Sequence, residues 1–206
     1  MAKGNKVQFN LKNFHYAILQ EDTTSALAYT PPTYGTPVHV PGAVSLTLDS
    51  EGSVTPFYAD GIQYYNAVSN NGYSGDLEVA KFPDEMLTAV WGFVKTAAGV
   101  LLENNSKNAA QFAALFQIDG DRDSEFYCMY NCSGTKPGVN AKTNEAEKEP
   151  QTQTSSITAS ALKDGTIMAR TTADTAKETK AGWFNQVYYP DETAWMAATA
   201  GATEDS

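Results

Sequence analysis

Acids fall on alternate residues in Asp119-Gly120-Asp121-Arg122-Asp123-Ser124-Glu125, the opening rhythm of a calcium loop. Such a loop needs glycine at its sixth position for the sharp turn and an acid at its twelfth to close the oxygen cage. Those places hold Ser124 and Tyr130, so the stretch reads as a solvated hairpin turn. Asp76 and Glu78 form a second pair, of the residue types a glycosidase uses as acid and base. Two residues apart on a strand, they share one face. Raising the pKa of either would need burial, and the simpler reading is a solvent- or lumen-facing strand. His15 and His39 are accompanied by no G-x-S-x-G elbow. Phosphate-binding glycine loops and a Walker lysine are also missing. Cys128 and Cys132, four residues apart on an expected strand, are too far apart to pair unless the chain turns back. Zinc would need more ligands, and the two histidines are distant in sequence. The expectations are free thiols in a reducing compartment, no metal, no cofactor and no catalytic set.

The elements that carry these residues come from periodicity. In Ala43 to Asp49, Val44, Leu46 and Leu48 take one face and Ser45, Thr47 and Asp49 the other, the alternation of a half-buried strand. Ser50-Glu51-Gly52-Ser53 predicts a turn, and Val54 to Tyr58 the return strand. Pro56 lacks an N–H, which makes that strand an edge or a bulged one. Gly61 to Gly75 reads as strand ends mixed with loop. In Asp76 to Phe82, Leu77, Val79 and Lys81 share one face, and the strand ends near Lys81. Pro83-Asp84-Glu85 opens a helix, because proline fits the first turn and acids suit the positive dipole end. Met86, Leu87, Val90 and Trp91 form its apolar stripe, and Gly92 stops it.

Val7, Phe9 and Leu11 alternate at odd positions, and Phe14, Tyr16 and Ile18 at even ones. The slip predicts a bulge near Lys12-Asn13. Glu21 to Pro41 reads as loop, and Gly99 to Glu103 as a short strand. Gln111 to Ile118 is apolar throughout its centre and predicts a buried central strand. Glu125 to Tyr130 returns from it as a hairpin. Ser133 to Gln151 is a long polar loop. Thr152 to Leu162 predicts a strand, with Gly165 to Arg170 as its hairpin partner. Thr175 to Gln186 leans to helix. Residues 1–193 form one expected domain, and 194–206 an Ala-rich, acidic tail. The class is mainly β, an antiparallel sandwich or barrel-forming subunit with a short flanking helix and long loops.

The 206 residues carry a net charge of −10, which argues against tight nucleic-acid binding, since that needs clustered Lys and Arg. No apolar run approaches the roughly 18 residues of a membrane helix, and no apolar segment follows the basic N-terminus as in a signal peptide.

Taken in order, several stretches resemble the major tail proteins of long, non-contractile-tailed bacteriophages. They are Pro41-Gly42-Ala43-Val44-Ser45-Leu46, Ser74-Gly75-Asp76-Leu77-Glu78-Val79-Ala80, Phe82-Pro83-Asp84, Ala114-Leu115-Phe116-Gln117, Glu149-Pro150-Gln151-Thr152-Gln153-Thr154 and Gly182-Trp183-Phe184-Asn185-Gln186-Val187-Tyr188. The resemblance spans nearly the whole chain. It implies a structural, non-enzymatic virion protein, assembled in the bacterial cytoplasm and residing in the tail. It implies rings of six subunits that stack into a tube through which DNA passes without specific binding. It also implies contacts with tape measure, tail tip and terminator proteins and none with membrane. Within that frame the expected lumen-facing residues are Asp49, Glu51, Asp76 and Glu78. The expected inter-subunit hairpin residues are Val44, Leu46, Leu48, Val54, Phe57 and Tyr58. A rival reading is a monomeric carbohydrate-binding sandwich with a sugar platform of tyrosines, of which there are 11, and tryptophans, and a second rival is an acidic hydrolase.

Overall fold

Leu11, Phe14, Tyr16 and Ile18 all pack toward one core although the first is odd and the others even. The switch of parity is made at Asn13, whose φ of 51° breaks the strand's alternation, and the pairing register slips between Lys12 and His15. The expected bulge is thus present within β1 (Gln8–Glu21). A computed structural model of the chain describes residues 4–105, 108–143 and 150–200.

Two short strands, β2 (Thr33–Tyr34) and β3 (Val38–His39), interrupt the loop after β1 and pair with it. A long hairpin follows, β4 (Ala43–Ala59) and β5 (Ile62–Val79). Next come α1 (Asp84–Trp91) and a small ladder of β6 (Val94–Lys95) and β7 (Leu101–Leu102). The remaining strands are β8 (Phe112–Gly120), β9 (Ser124–Gly134), β10 (Gln153–Ser160) and β11 (Met168–Arg170). Two helices, α2 (Lys177–Ala181) and α3 (Glu192–Ala200), close the described chain. The main sheet is antiparallel and ordered β2-β1-β8-β9-β10-β5-β4, with β3 on β1 and β11 on β9. It bends back on itself, bringing Leu46, Leu48 and Leu77 into one core with Leu11, Phe116 and Ile118. This is the mainly-β, sandwich-like architecture that the alternating patterns predict.

The apolar run of β8 has the predicted cause. Phe112, Ala114 and Phe116 face the first core, while Ala113 and Leu115 face a second one built with Ala17, Tyr130, Leu162 and Trp183. A strand covered on both faces has no polar side to alternate with. The C-terminal segment supplies the second cover. Trp183 is buried and donates its indole N–H to the Tyr127 carbonyl at 3.2 Å. Helix α1 closes the first core as expected: Met86, Val90 and Trp91 are buried, and Gly92 ends the helix at φ 70° with its N–H returned to the Leu87 carbonyl. Trp91 meets Phe82 edge-on at 5.3 Å and donates to the Gly134 carbonyl at 3.0 Å.

Several expectations are corrected. Ser50 to Ser53 is not a turn: β4 runs through it with only a register slip between Ser50 and Gly52. The chain turns instead at Asp60-Gly61, where both residues have positive φ (52° and 77°). That is the backbone a two-residue hairpin turn with native twist requires. Val54 to Tyr58 is therefore the distal half of β4, and Gly61 to Gly75 lies almost wholly in β5. A second slip between Ala43 and Ser45 puts Ala43, not Val44, beside Leu46 and Leu48 on the core. Val44 is left exposed. β11 pairs with β9 rather than β10, because β9 continues beyond Asn131, where β10 stops covering it, and β11 takes up the vacant edge. The helix expected over 175–186 is confined to α2. The tail expected from Ala194 begins inside α3, whose Trp195 is largely buried and lies 6.1 Å from Tyr29. Residues 201–206 lie outside the described chain, as do 144–149 of the long polar loop.

Candidate assembly surfaces

The root of the β4–β5 hairpin and β10 present a common outer face. Register places Ser45 opposite Glu78, Thr47 opposite Asp76 and Asp49 opposite Ser74. On the other side of β5, Thr154, Ser156 and Thr158 stand opposite Glu78, Asp76 and Ser74. Residues paired this way point to the same side of a sheet. The hydroxyls serve the carboxylates. Ser45 and Thr152 donate to Glu78 at 3.0 and 2.6 Å, and Ser156 donates to Asp76 at 2.7 Å. Ser74 donates to Glu51, which brings that side chain from the bulge to the same face. All four acids singled out in the sequence, Asp49, Glu51, Asp76 and Glu78, thus gather on one surface. None of β4, β5, β9 and β10 contains a lysine or arginine. The surface is anionic and hydroxyl-rich. Glu51, Asp76 and Glu78 accept from neutral hydroxyls, and Asp76 and Glu78 lie side by side on one strand rather than across a cleft.

The distal half of the same hairpin differs in character. β10 accompanies β5 only from Tyr73 to Val79. From Gly52 to Asn70, β4 and β5 pair with each other alone, as a two-stranded ribbon. Val54, Phe57, Tyr58, Ile62, Tyr64 and Tyr65 on it are 60–75% exposed. The sole charged side chain between Gly52 and Asn70 is Asp60 at the turn. An isolated hairpin is marginal in water, and contiguous exposed apolar surface marks an interaction site. Of the residues assigned to an inter-subunit hairpin, Val54, Phe57 and Tyr58 lie on the ribbon, and Val44 is exposed at the base. Leu46 and Leu48 instead pack on the core. Sequence reasoning missed Ile62, Tyr64 and Tyr65. The Asp60-Gly61 dipeptide was the signal that would have extended the hairpin to include them.

The remaining candidates resolve as follows. Asp119 is held below the ordinary carboxylate range, first by the Lys12 ammonium 2.6 Å away, with burial opposing and Ser124 and Gln117 assisting. Asp123 pairs with Lys180, and Asn5 braces the turn by accepting from the Asp123 and Arg122 N–H groups. The acidic run is a stapled hairpin turn. Cys128 and Cys132 are both free and buried, but in different cores. The pairing slip opposite Phe112–Ala114 turns β9 over between them. Burial raises both thiols, Cys132 to about 12. The histidines, distant in sequence, are brought together: β1–β3 pairing sets His15 opposite His39, with ring centroids 4.9 Å apart. Among the described residues no cluster of three or more His, Cys, Asp or Glu side chains is arranged to hold a metal.

The fold and these surfaces define an antiparallel, β-sandwich-like domain with a projecting two-stranded ribbon. Compared with known proteins, the chain matches no protein-family model and no curated protein sequence significantly.

Proposed function

We propose that the chain is a self-assembling structural subunit, of the kind that forms the tail tube of a long-tailed phage by stacking ring upon ring. The observation that carries the reading is the Gly52–Asn70 ribbon, a two-stranded arm with large apolar side chains open to water and one charge at its tip. Such an arm is stabilised by burial against another copy. β4 also ends the sheet, and an edge strand is a template for pairing with a neighbouring chain. Closing such pairings into a ring satisfies the edges without open-ended growth. The sequence resemblance supplies the finer part of the proposal: rings of six, a DNA-conducting lumen, and partners at the tape measure, tail tip and terminator. Under that reading the Asp49, Glu51, Asp76 and Glu78 face lines the lumen, where like charge repels the phosphate backbone.

Negative-stain electron microscopy over a concentration series, with size exclusion alongside, tests the reading. Rings or hollow tubes are the expected result. A monodisperse monomer at every concentration, with and without tail-tip extract, would count against it.

A further inference from the structure

The two histidines of the chain sit in a geometry that sequence distance conceals. β3 lays His39 directly opposite His15, with ring centroids 4.9 Å apart and ring planes tilted by 50°. Two imidazoles that bind one cation at adjacent positions, with metal–nitrogen distances of about 2.0–2.1 Å, hold their centroids roughly 4.5–5 Å apart. The pair already has that spacing.

His15 is also prepared as a ligand. Its Nδ1 lies 2.8 Å from the Asn13 carbonyl. A carbonyl oxygen only accepts, so Nδ1 carries the proton and Nε2 keeps its lone pair. Donation of the second ring N–H to a backbone carbonyl is the usual support of a metal-binding histidine. The ring is further fixed by stacking on Phe184 at 4.4 Å and 21°.

We propose that His15 and His39 form a two-histidine site for a late first-row divalent cation, with water completing the coordination. Imidazole ligands favour copper, nickel and zinc, and the general affinity order puts Cu2+ first. No third His, Cys, Asp or Glu joins the pair among the described residues, so the site is open on its remaining positions. A bound cation clips β3, and with it the chain leading to Val40 and β4, onto β1. The inference is independent of the assembly reading.

The test uses the tag-free, full-length protein titrated with Cu2+ in a non-chelating buffer at neutral pH, followed by calorimetry and electron paramagnetic resonance. One Cu2+ per chain is expected, with hyperfine structure from two imidazole nitrogens. His39→Asn, at an exposed position, and His15→Asn should each weaken binding at least about tenfold. Lowering the pH should release the metal as protons compete for the ring nitrogens. Unchanged affinity in His39→Asn overturns the site. So does a wild-type spectrum showing one imidazole nitrogen or none, which does not depend on either variant folding.

Discussion

Phe57 and Tyr65 stand directly opposite each other across the two strands of the ribbon, 60% and 64% exposed. An aromatic pair of this kind contributes about 0.5–1.5 kcal/mol beyond its area when packed, yet here it faces water. It therefore contributes little to the chain's own core, and under the assembly proposal it would pack against a second copy. Replacing both with serine should leave the thermal midpoint of the monomer nearly unchanged and abolish assembly, measured by sedimentation velocity. A large loss of monomer stability with normal assembly would reverse the assignment.

The acidic face makes a separable prediction. Asp76→Lys with Glu78→Lys removes two carboxylates that, among the described residues, accept side-chain hydrogen bonds from serine and threonine, so the sheet should tolerate the change. If that face lines a DNA channel, tubes should form normally while DNA ejection slows, because the new charges attract phosphate. Unchanged ejection kinetics would remove these residues from the channel wall.

Stability should depend strongly on Trp91. Its side chain is buried, meets Phe82 edge-on and donates to the Gly134 carbonyl. Trp91→Ala should cost about 3–5 kcal/mol. Trp91→Phe keeps most of the volume but leaves the carbonyl unpaired, at about 1–3 kcal/mol. Urea unfolding of the two variants gives the ratio.

His15 sets a pH dependence. Its folded pKa lies below the ordinary 6.5, chiefly through burial. The unfolded chain therefore binds the extra proton first, and stability rises with pH wherever the unfolded state holds more protons. The His15 contribution is complete above the unfolded value and is lost as pH falls below 6.5 toward the folded value. The thermal midpoint should drop over that interval in the wild type and flatten in His15→Asn.

Asp164 acts in the lower range. Burial raises its carboxyl, but hydrogen bonds from Tyr189 at 2.6 Å and from Thr166 outweigh it and hold the group below 3.8. That stability is present above the unfolded value and is lost as pH falls through the folded one. Tyr189→Phe should shrink the acid-side loss, read from midpoints across the carboxylate range.

Much of this fold is legible because burial writes itself into residue type. β8 is apolar on both faces because two cores meet there, and α1 displays its acidic first turn, stripe and stop within nine residues, Asp84 to Gly92. The bulge at Asn13 appears as a change of parity in the apolar residues. The ribbon was harder to read because neither of its faces is buried by the subunit. Without burial, alternation loses its meaning, and the polar Ser50-Glu51-Gly52-Ser53 stretch imitates a turn while the chain runs straight on. The partner of β11 and the meeting of His15 with His39 depend on where β9 and β1 run out of neighbours, which is a property of the sheet rather than of any local segment. The shared face of Asp76 and Glu78 was legible through alternation, whereas Glu51, read as part of a turn, joins it through the register slip at Ser50–Gly52 and its bond from Ser74. The union of the four acids across β4 and β5 came only with the register.

The turn-over of β9 between Cys128 and Cys132 has a chemical consequence. The two sulfurs lie in separate cores of one sheet, so joining them would require unmaking the sheet itself. A thiol kept protonated and out of solvent also reacts slowly with oxidants or external disulfides. The chain therefore keeps the same covalent form under reducing and oxidising conditions alike.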